Sequence, residues 1–329
     1  MVLRVPVKPE LLRWACERAG KLESALAERF AAFPDWLTGE KQPTFKQLED
    51  FAKATRTPFG FFFLQEPPVE TIPIPDFRTV GSERVQHPSP DLLDTIYLCQ
   101  QRQDWYRQNA LVLGEPPLDF IGSATVQSEV IATASRIREA VGFDLDARAE
   151  ARKWEDALRM MIDAADEAGI LVMISGIVGH NTHRPLDTAE FRGFALCDAS
   201  PHLAPLIFIN GTDTKAGQMF TLAHELAHLW IGESGVSNVT PASSFSDRGV
   251  EWWCHAVATE IVRGFDVPDG RGSVPAVSPR FARAVLASTW EGRSAFTDAF
   301  RLLGCRNVKA LEALGDRLGM TATLCGGAA

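Results

Sequence analysis

The chain of 329 residues has few cysteines, no excess of positive charge and no long apolar run. Its six cysteines are scattered, and no two form a Cys-x-x-Cys pair, which argues against a thiolate zinc site or a disulfide framework and favours a reducing cytoplasm. The formal net charge of -9 argues against a protein that coats nucleic acid over its whole surface. No run approaches the roughly 18 apolar residues that span a bilayer, and no basic-then-apolar segment opens the chain. We therefore expect a cytoplasmic protein of about two domains.

The pattern His-Glu-x-x-His at residues 224–228 distinguishes the sequence. On a helix, His224 and His228 lie one turn apart on the same face, where they can bind one metal ion. Glu225 lies one residue round from His224 and is suited to take a proton from a water that the metal activates. The flanks, residues 220–231, are uncharged and mostly bulky, so we expect a buried helix whose histidines share a zinc ion. A surface helix that carries the pattern by chance is the alternative, but it would have polar flanks.

A catalytic zinc ion usually has three protein ligands and one open position. After a loop at residues 232–246, an apolar stripe predicts a helix, and Glu251 lies beside that stripe. We predict Glu251 as the third ligand; a solvated helix glutamate is the alternative. His255, one turn later on the same side, is either a rival ligand or a hydrogen-bond partner behind the ligands. As a fourth ligand, His255 would instead make a closed structural site.

Two further features of the metal domain bear on catalysis. His183 and His180 occupy a polar loop and are weak candidates for an oxyanion donor. The strand predicted at residues 191–197, if it is a free edge, could align a substrate by strand addition.

Residues 11–57 predict several short helices that look like a small helix-turn-helix domain of the phage-repressor type. In this interpretation residues 22–30 form the first motif helix, and the stretch around Trp36 takes the recognition position. That stretch offers Asp35, Glu40 and Lys41 but no arginine, so DNA binding and docking to a protein partner both remain open.

The hydrophobic pattern places a helix-turn-helix-like domain at residues 1–66, a proline-rich connector at 67–90 and a second domain at 91–329, which includes C-terminal helices from 278. The second domain has predicted helices at 91–109, 127–141 and 147–168, predicted strands at 170–174, 191–197 and 206–209, and a helix pair at 278–303. The expected fold class is α+β: a small all-helical domain is followed by a mainly helical zincin-like metalloprotease domain with a small β-sheet.

The sequence resembles the ImmA/IrrE family of metallo-endopeptidases, in the long form that carries a repressor-type helix-turn-helix module. The resemblance is carried by residues 220–230, 251–260, 39–44 and 64–78, and its specificity comes from their combination, because many unrelated proteases share the metal motif. It implies one Zn²⁺ per chain, with His224, His228 and Glu251 as ligands and Glu225 as the catalytic acid/base.

The resemblance also implies zinc-dependent cleavage of a specific protein, a DNA-binding transcriptional repressor, in a stress or mobile-element response. Two features depart from the family. His255 stands where the family usually has an asparagine, and residues 264–279 are rich in glycine and proline where further helices would follow. The alternative is a DNA-binding regulator or antitoxin-like protein whose metal domain senses or binds without cutting.

Overall fold

The computed structural model describes residues 3–80, 83–84, 88–143, 154–198, 200–243, 249–263 and 277–320. The chain divides into two compact units, one made of Met1–Pro73 with Val85–Asp94 and the other of Ile74–Arg84 with Thr95–Ala329. Residues 147–153 of a predicted helix, and residues 264–276 of the glycine- and proline-rich stretch, lie outside the described residues. Within the described ranges, no helix is long and apolar enough to cross a membrane.

The first unit is a small helical body with an aromatic core. Its helices are α1 (Pro9–Arg18), α2 (Glu23–Arg29), α3 (Phe33–Thr38) and α4 (Phe45–Thr55), followed by a 3₁₀ helix at Phe59–Phe63. The Phe33 and Phe51 rings stack with centroids 5.2 Å apart, and Trp36 packs edge-on against both. Trp36 is only 1% exposed, so the centre of the predicted recognition segment is a core residue.

The second unit holds the remaining helices and strands. The helices are α5 (Pro90–Leu113, from Thr95 on in this unit), α6 (Val130–Ala140), α7 (Trp154–Glu167), α8 (Lys215–Ile231), α9 (Val250–Ile261), α10 (Pro279–Trp290), α11 (Phe296–Leu303) and α12 (Val308–Arg317). The strands are β1 (Thr79–Val80), β2 (Glu83–Arg84), β3 (Leu171–Ser175), β4 (Gly193–Leu196), β5 (Leu206–Asn210) and β6 (Gly235–Ser237).

The second unit is built on a four-stranded mixed sheet in the order β3-β5-β4-β6. β3 and β5 are parallel, whereas β4 is antiparallel to both of its neighbours. Because side chains alternate along a strand, Ile207 and Ile209 face the core that contains α8. Met173 points to the opposite face, where it meets Arg102 of α5. The twelve helices and this sheet of the described chain agree with the expected α+β class.

The structure corrects three details of the sequence interpretation. β4 lies between β5 and β6, so the strand predicted at residues 191–197 is not a free edge. Part of the predicted loop at 232–246 is the strand β6. The C-terminal region has a third helix, α12, beyond the predicted pair, and this amphipathic helix begins at an Asn307 cap.

Candidate metal centre

Helix α8 carries the His-Glu-x-x-His pattern through the core of the second unit. Its first turn is capped by Thr214, whose side chain accepts a hydrogen bond from the backbone N–H of Gly217 at 3.0 Å. It ends at Gly232, which has a left-handed φ of 73° that suits glycine. All residues from 218 to 230 are buried, as the apolar flanks predict.

The following helix brings a carboxylate to the two imidazoles. Helix α9 packs along α8 and is anchored by Trp253, whose indole N–H donates to the Ser128 carbonyl at 2.9 Å. Glu251 lies in the first turn of α9, with a side chain that is 15% exposed. The loop and returning helix expected from the sequence therefore do join His224, His228 and Glu251 in space.

The distances within this group suit a metal ion. The two Nε2 atoms are 3.2 Å apart; Glu251 Oε1 lies 2.9 Å from Nε2 of His228, and Oε2 lies 3.3 Å from Nε2 of His224. Ligand atoms at about 2.0–2.1 Å from a tetrahedral ion are separated by roughly 3.3 Å. Although these distances are short enough for hydrogen bonds, no described donor reaches either buried carboxylate oxygen of Glu251 with hydrogen-bond geometry. Such orphaned acceptors facing two imidazole nitrogens are expected where a cation is bound.

The electrostatic environment of Glu251 and His224 favours the protonation states that bind a metal, whereas burial of His228 is outweighed by Cys254 and Glu251, which raise the pKa of His228, so that His228 would have to lose a proton on binding. Burial alone would raise the pKa of Glu251, but the His224 and His228 side chains outweigh it and lower that pKa to about 2. Burial lowers the pKa of His224, against the opposing effect of Glu251. An ionised carboxylate and a neutral imidazole are the forms in which these side chains act as ligands.

Glu225 projects from the same helix but has a different environment. It is fully buried, and Ser237 of β6 donates a hydrogen bond from its hydroxyl to Oε1. Its other oxygen, Oε2, has no hydrogen-bond partner among the described residues. Burial raises the pKa of Glu225 to about 8, although His228 and Ser237 act in the opposite direction. Glu225 is therefore suited to exchange a proton near neutral pH.

Glycine at position 193 of β4 lets the strand pack closely against α8 and β5. A Cβ atom at Gly193 would lie 2.5 Å from Cγ2 of Thr221, 2.8 Å from the Phe208 carbonyl oxygen and 3.3 Å from Glu225 Oε1. A larger residue at this position would therefore push β4 away from the helix that carries Glu225.

Two residues beside the centre are absent from the sequence prediction. One is Ser237; the other is Phe77, whose ring stacks on the His228 imidazole with centroids 5.6 Å apart. Phe77 is held by backbone pairing with β6: its N–H donates to the Val236 carbonyl at 3.0 Å, and the Val236 N–H donates to the Pro75 carbonyl at 3.0 Å. The prolines around Phe77 suggested only a connector, and a three-residue strand leaves no alternation to recognise.

His255 lies outside the group of three candidate ligands. Its Nε2–H donates to the Thr240 carbonyl at 3.1 Å, and its ring meets Phe220 edge-on at 5.3 Å. The hydrogen bond to Thr240 joins α9 to the loop that follows β6.

The two loop histidines are also apart from the ligands. His180 lies against Gly304 and lines a cavity with Arg102 of α5. His183 is exposed, and its backbone N–H donates to the Asn181 side chain at 3.0 Å. The structure therefore does not bring either residue together with His224, His228 and Glu251.

A buried helix with this motif and a glutamate from the next helix define a candidate metal centre of the metallopeptidase type. Residues 165–261 match the model of a peptidase family described as the IrrE N-terminal-like domain, and residues 277–317 match a domain of unknown function (DUF8813). Comparisons with curated proteins and with solved structures find no match. The peptidase match spans β3 to α9, supports the resemblance to the ImmA/IrrE family there, and indicates a metallopeptidase-type function.

Proposed function

We propose that the second unit is a zinc-dependent endopeptidase that cleaves a specific cytoplasmic protein, a DNA-binding transcriptional repressor, in a stress or mobile-element response. The observation that carries the proposal is the buried His224, His228 and Glu251 group, with Glu225 beside it. Zinc bound there would polarise a peptide carbonyl and lower the pKa of a water to about 7. The repressor as substrate rests on the resemblance to the ImmA/IrrE family.

In this mechanism, Glu225 is the acid/base. Ser237 holds one of its carboxylate oxygens, which leaves Oε2 to accept a proton from the attacking water and to donate that proton to the leaving amine. Phe77 covers one face of His228 and limits the rotation of that imidazole. The buried surroundings strengthen these interactions, because water competes little for the same groups.

The experiment compares Glu225→Gln with Glu233→Gln, a matched change at an exposed glutamate just beyond α8. Newly formed protein N-termini are labelled and identified in cells that produce the wild type or either variant. We expect a small set of cleavages, including one in a DNA-binding repressor, with the wild type and Glu233→Gln, and none with Glu225→Gln, which should keep its metal. The same cleavages with Glu225→Gln would refute the catalytic role. Cleavage of unrelated proteins alone would refute the repressor as substrate.

The same experiment decides between cutting and sensing. A chain that binds zinc but generates no new N-termini under any condition would be the regulator or antitoxin-like protein of the alternative hypothesis.

For the first unit we propose docking to a protein partner. Phe45 and Phe63 are about half exposed, and both pack on Phe59, so they form an aromatic surface. The basic residue of the predicted recognition stretch, Lys41, pairs with Asp35, which leaves little net positive charge there to meet phosphates. We expect no salt-dependent shift of duplex DNA by the full chain at low ionic strength; a sequence-selective shift would overturn this proposal.

A further inference from the structure

The second unit contains a cavity of about 480 Å³ beside the carboxyl ends of β3 and β5, where α8 begins. α5 contributes Arg102 to its wall, the turn after β3 contributes His180, and the first residue of α8 contributes Lys215. The described lining residues include these three basic side chains and no acidic one. A lining of one charge sign is unexpected in a chain with a formal net charge of -9.

Arg102 is the principal charge in this cavity. It is only 5% exposed; its Nε–H donates to the Leu302 carbonyl at 3.2 Å, and Nη1 lies 3.8 Å from the sulfur of Met173. No ion pair joins Arg102 to a carboxylate in the described part of the chain, and burial lowers the pKa of its guanidinium. A buried guanidinium without a counter-ion is costly, so an anion that reached it would gain strong, charge-assisted hydrogen bonds.

The neighbouring groups leave this positive charge largely uncompensated. Burial raises the pKa of the Cys99 thiol to about 12, so the thiol stays neutral. Burial lowers the pKa of His180, and Arg102 and Arg306 act in the same direction. The positive charge of Lys215 is partly compensated, because the Glu155 carboxylate lies nearby. Burial lowers the pKa of the Lys215 ammonium group, and Glu155 opposes that shift.

We propose that this cavity binds a small organic anion, a carboxylate or a phosphate monoester, with its anionic group at Arg102. Leu98, Ile174 and Phe208 line the same cavity and would contact the apolar part of the ligand. The volume lies within the range of small-molecule sites, and a mostly apolar wall with a few convergent polar groups is their usual composition. Because Lys215 is the first residue of α8, the cavity adjoins the helix that carries the candidate ligands His224 and His228.

The test uses the full-length chain and four probes: benzoate, phenyl phosphate, inorganic phosphate and neutral benzamide. Binding is measured by calorimetry and located by NMR through the imidazole signals of His180, assigned with His180→Gln. We expect benzoate, phenyl phosphate or both to bind and to shift the His180 signals, and benzamide to bind far more weakly. The ratio of the two anions identifies the preferred headgroup, and binding of inorganic phosphate alone would exclude an organic ligand.

Arg102→Gln should weaken anion binding by about 10-fold to 100-fold, whereas Arg301→Gln, the same change at an exposed arginine of α11, should leave it unchanged. If Arg102→Gln does not fold, Lys215→Met serves as the test variant. We expect it to weaken anion binding by only about threefold, because Glu155 already offsets part of the Lys215 charge. Equal binding of benzamide and benzoate, no binding of any probe up to about 10 mM, or no loss of affinity in the folded cavity variant would overturn the proposal.

Discussion

Replacing Glu251 by glutamine tests the candidate metal centre without any knowledge of the substrate. The change keeps the size of the side chain but removes the negative charge that lies 2.9 Å and 3.3 Å from the two imidazole nitrogens. Even partners outside the ligand sphere typically contribute 10-fold to 100-fold to metal affinity, so we expect loss of this ligand to weaken zinc binding by at least about 100-fold.

The magnitude follows from linkage between binding and folding. With free zinc buffered at about 100 times the Kd of the wild type, binding stabilises the fold by about 2.7 kcal/mol. A variant with a 100-fold higher Kd is then only half saturated and gains about 0.4 kcal/mol. At roughly 2–4 °C per kcal/mol, chelation should lower the Tm of the wild type by about 5–10 °C and that of Glu251→Gln by about 1–2 °C.

The measurement is thermal unfolding in zinc buffer and in chelator, together with zinc content by elemental mass spectrometry. Glu260→Gln is the matched control, because Glu260 lies on the same helix and pairs with Arg263. It should behave as the wild type does. A Glu251→Gln protein that retained one zinc per chain and the full chelator-dependent shift would refute Glu251 as a ligand.

Two further changes probe the residues around the ligands. Ser237→Ala removes the hydrogen bond to Glu225, so the cleavage rate should fall by about 10-fold at unchanged zinc content. Ser237→Thr keeps a hydroxyl and should restore part of the rate. An undiminished rate in Ser237→Ala would show that the hydrogen bond has no role in catalysis. Gly235→Ala should destabilise the second unit by about 1–3 kcal/mol, because the new Cβ would lie 2.4 Å from a ring carbon of Phe77. Denaturant unfolding measures that loss, and wild-type stability would contradict the packing of Phe77 on β6.

The sequence predicted those features that depend on local periodicity. Two histidines four residues apart share a helix face, and a glutamate beside an apolar stripe lies next to the buried side of its helix. These two patterns predicted His224, His228 and Glu251 as candidate ligands. β3 and β5 were recognisable because each is a continuous apolar run. The pairing of Phe77 with Val236 was not recognisable, since it depends on backbone hydrogen bonds between distant segments. The burial of Arg102 was hidden in the same way: a single arginine on a helix normally indicates a solvated face.

The pairing of residues 75–77 with β6 changes where a substrate could align. Strand addition to β4 is excluded, because both sides of β4 are already paired. At Val236, the outer edge of β6 is occupied by Pro75 and Phe77, so an extended substrate beside the candidate metal centre would have to pair with the outer side of that segment or displace it. Displacement is opposed by Arg78, which is buried and ties the segment to Glu190 through a hydrogen bond of 3.2 Å from Nη1. Substrate selection would then depend on residues 75–77. These residues lie outside the segment that matches the peptidase family. Chains that match this family model could therefore still differ in the proteins they cleave.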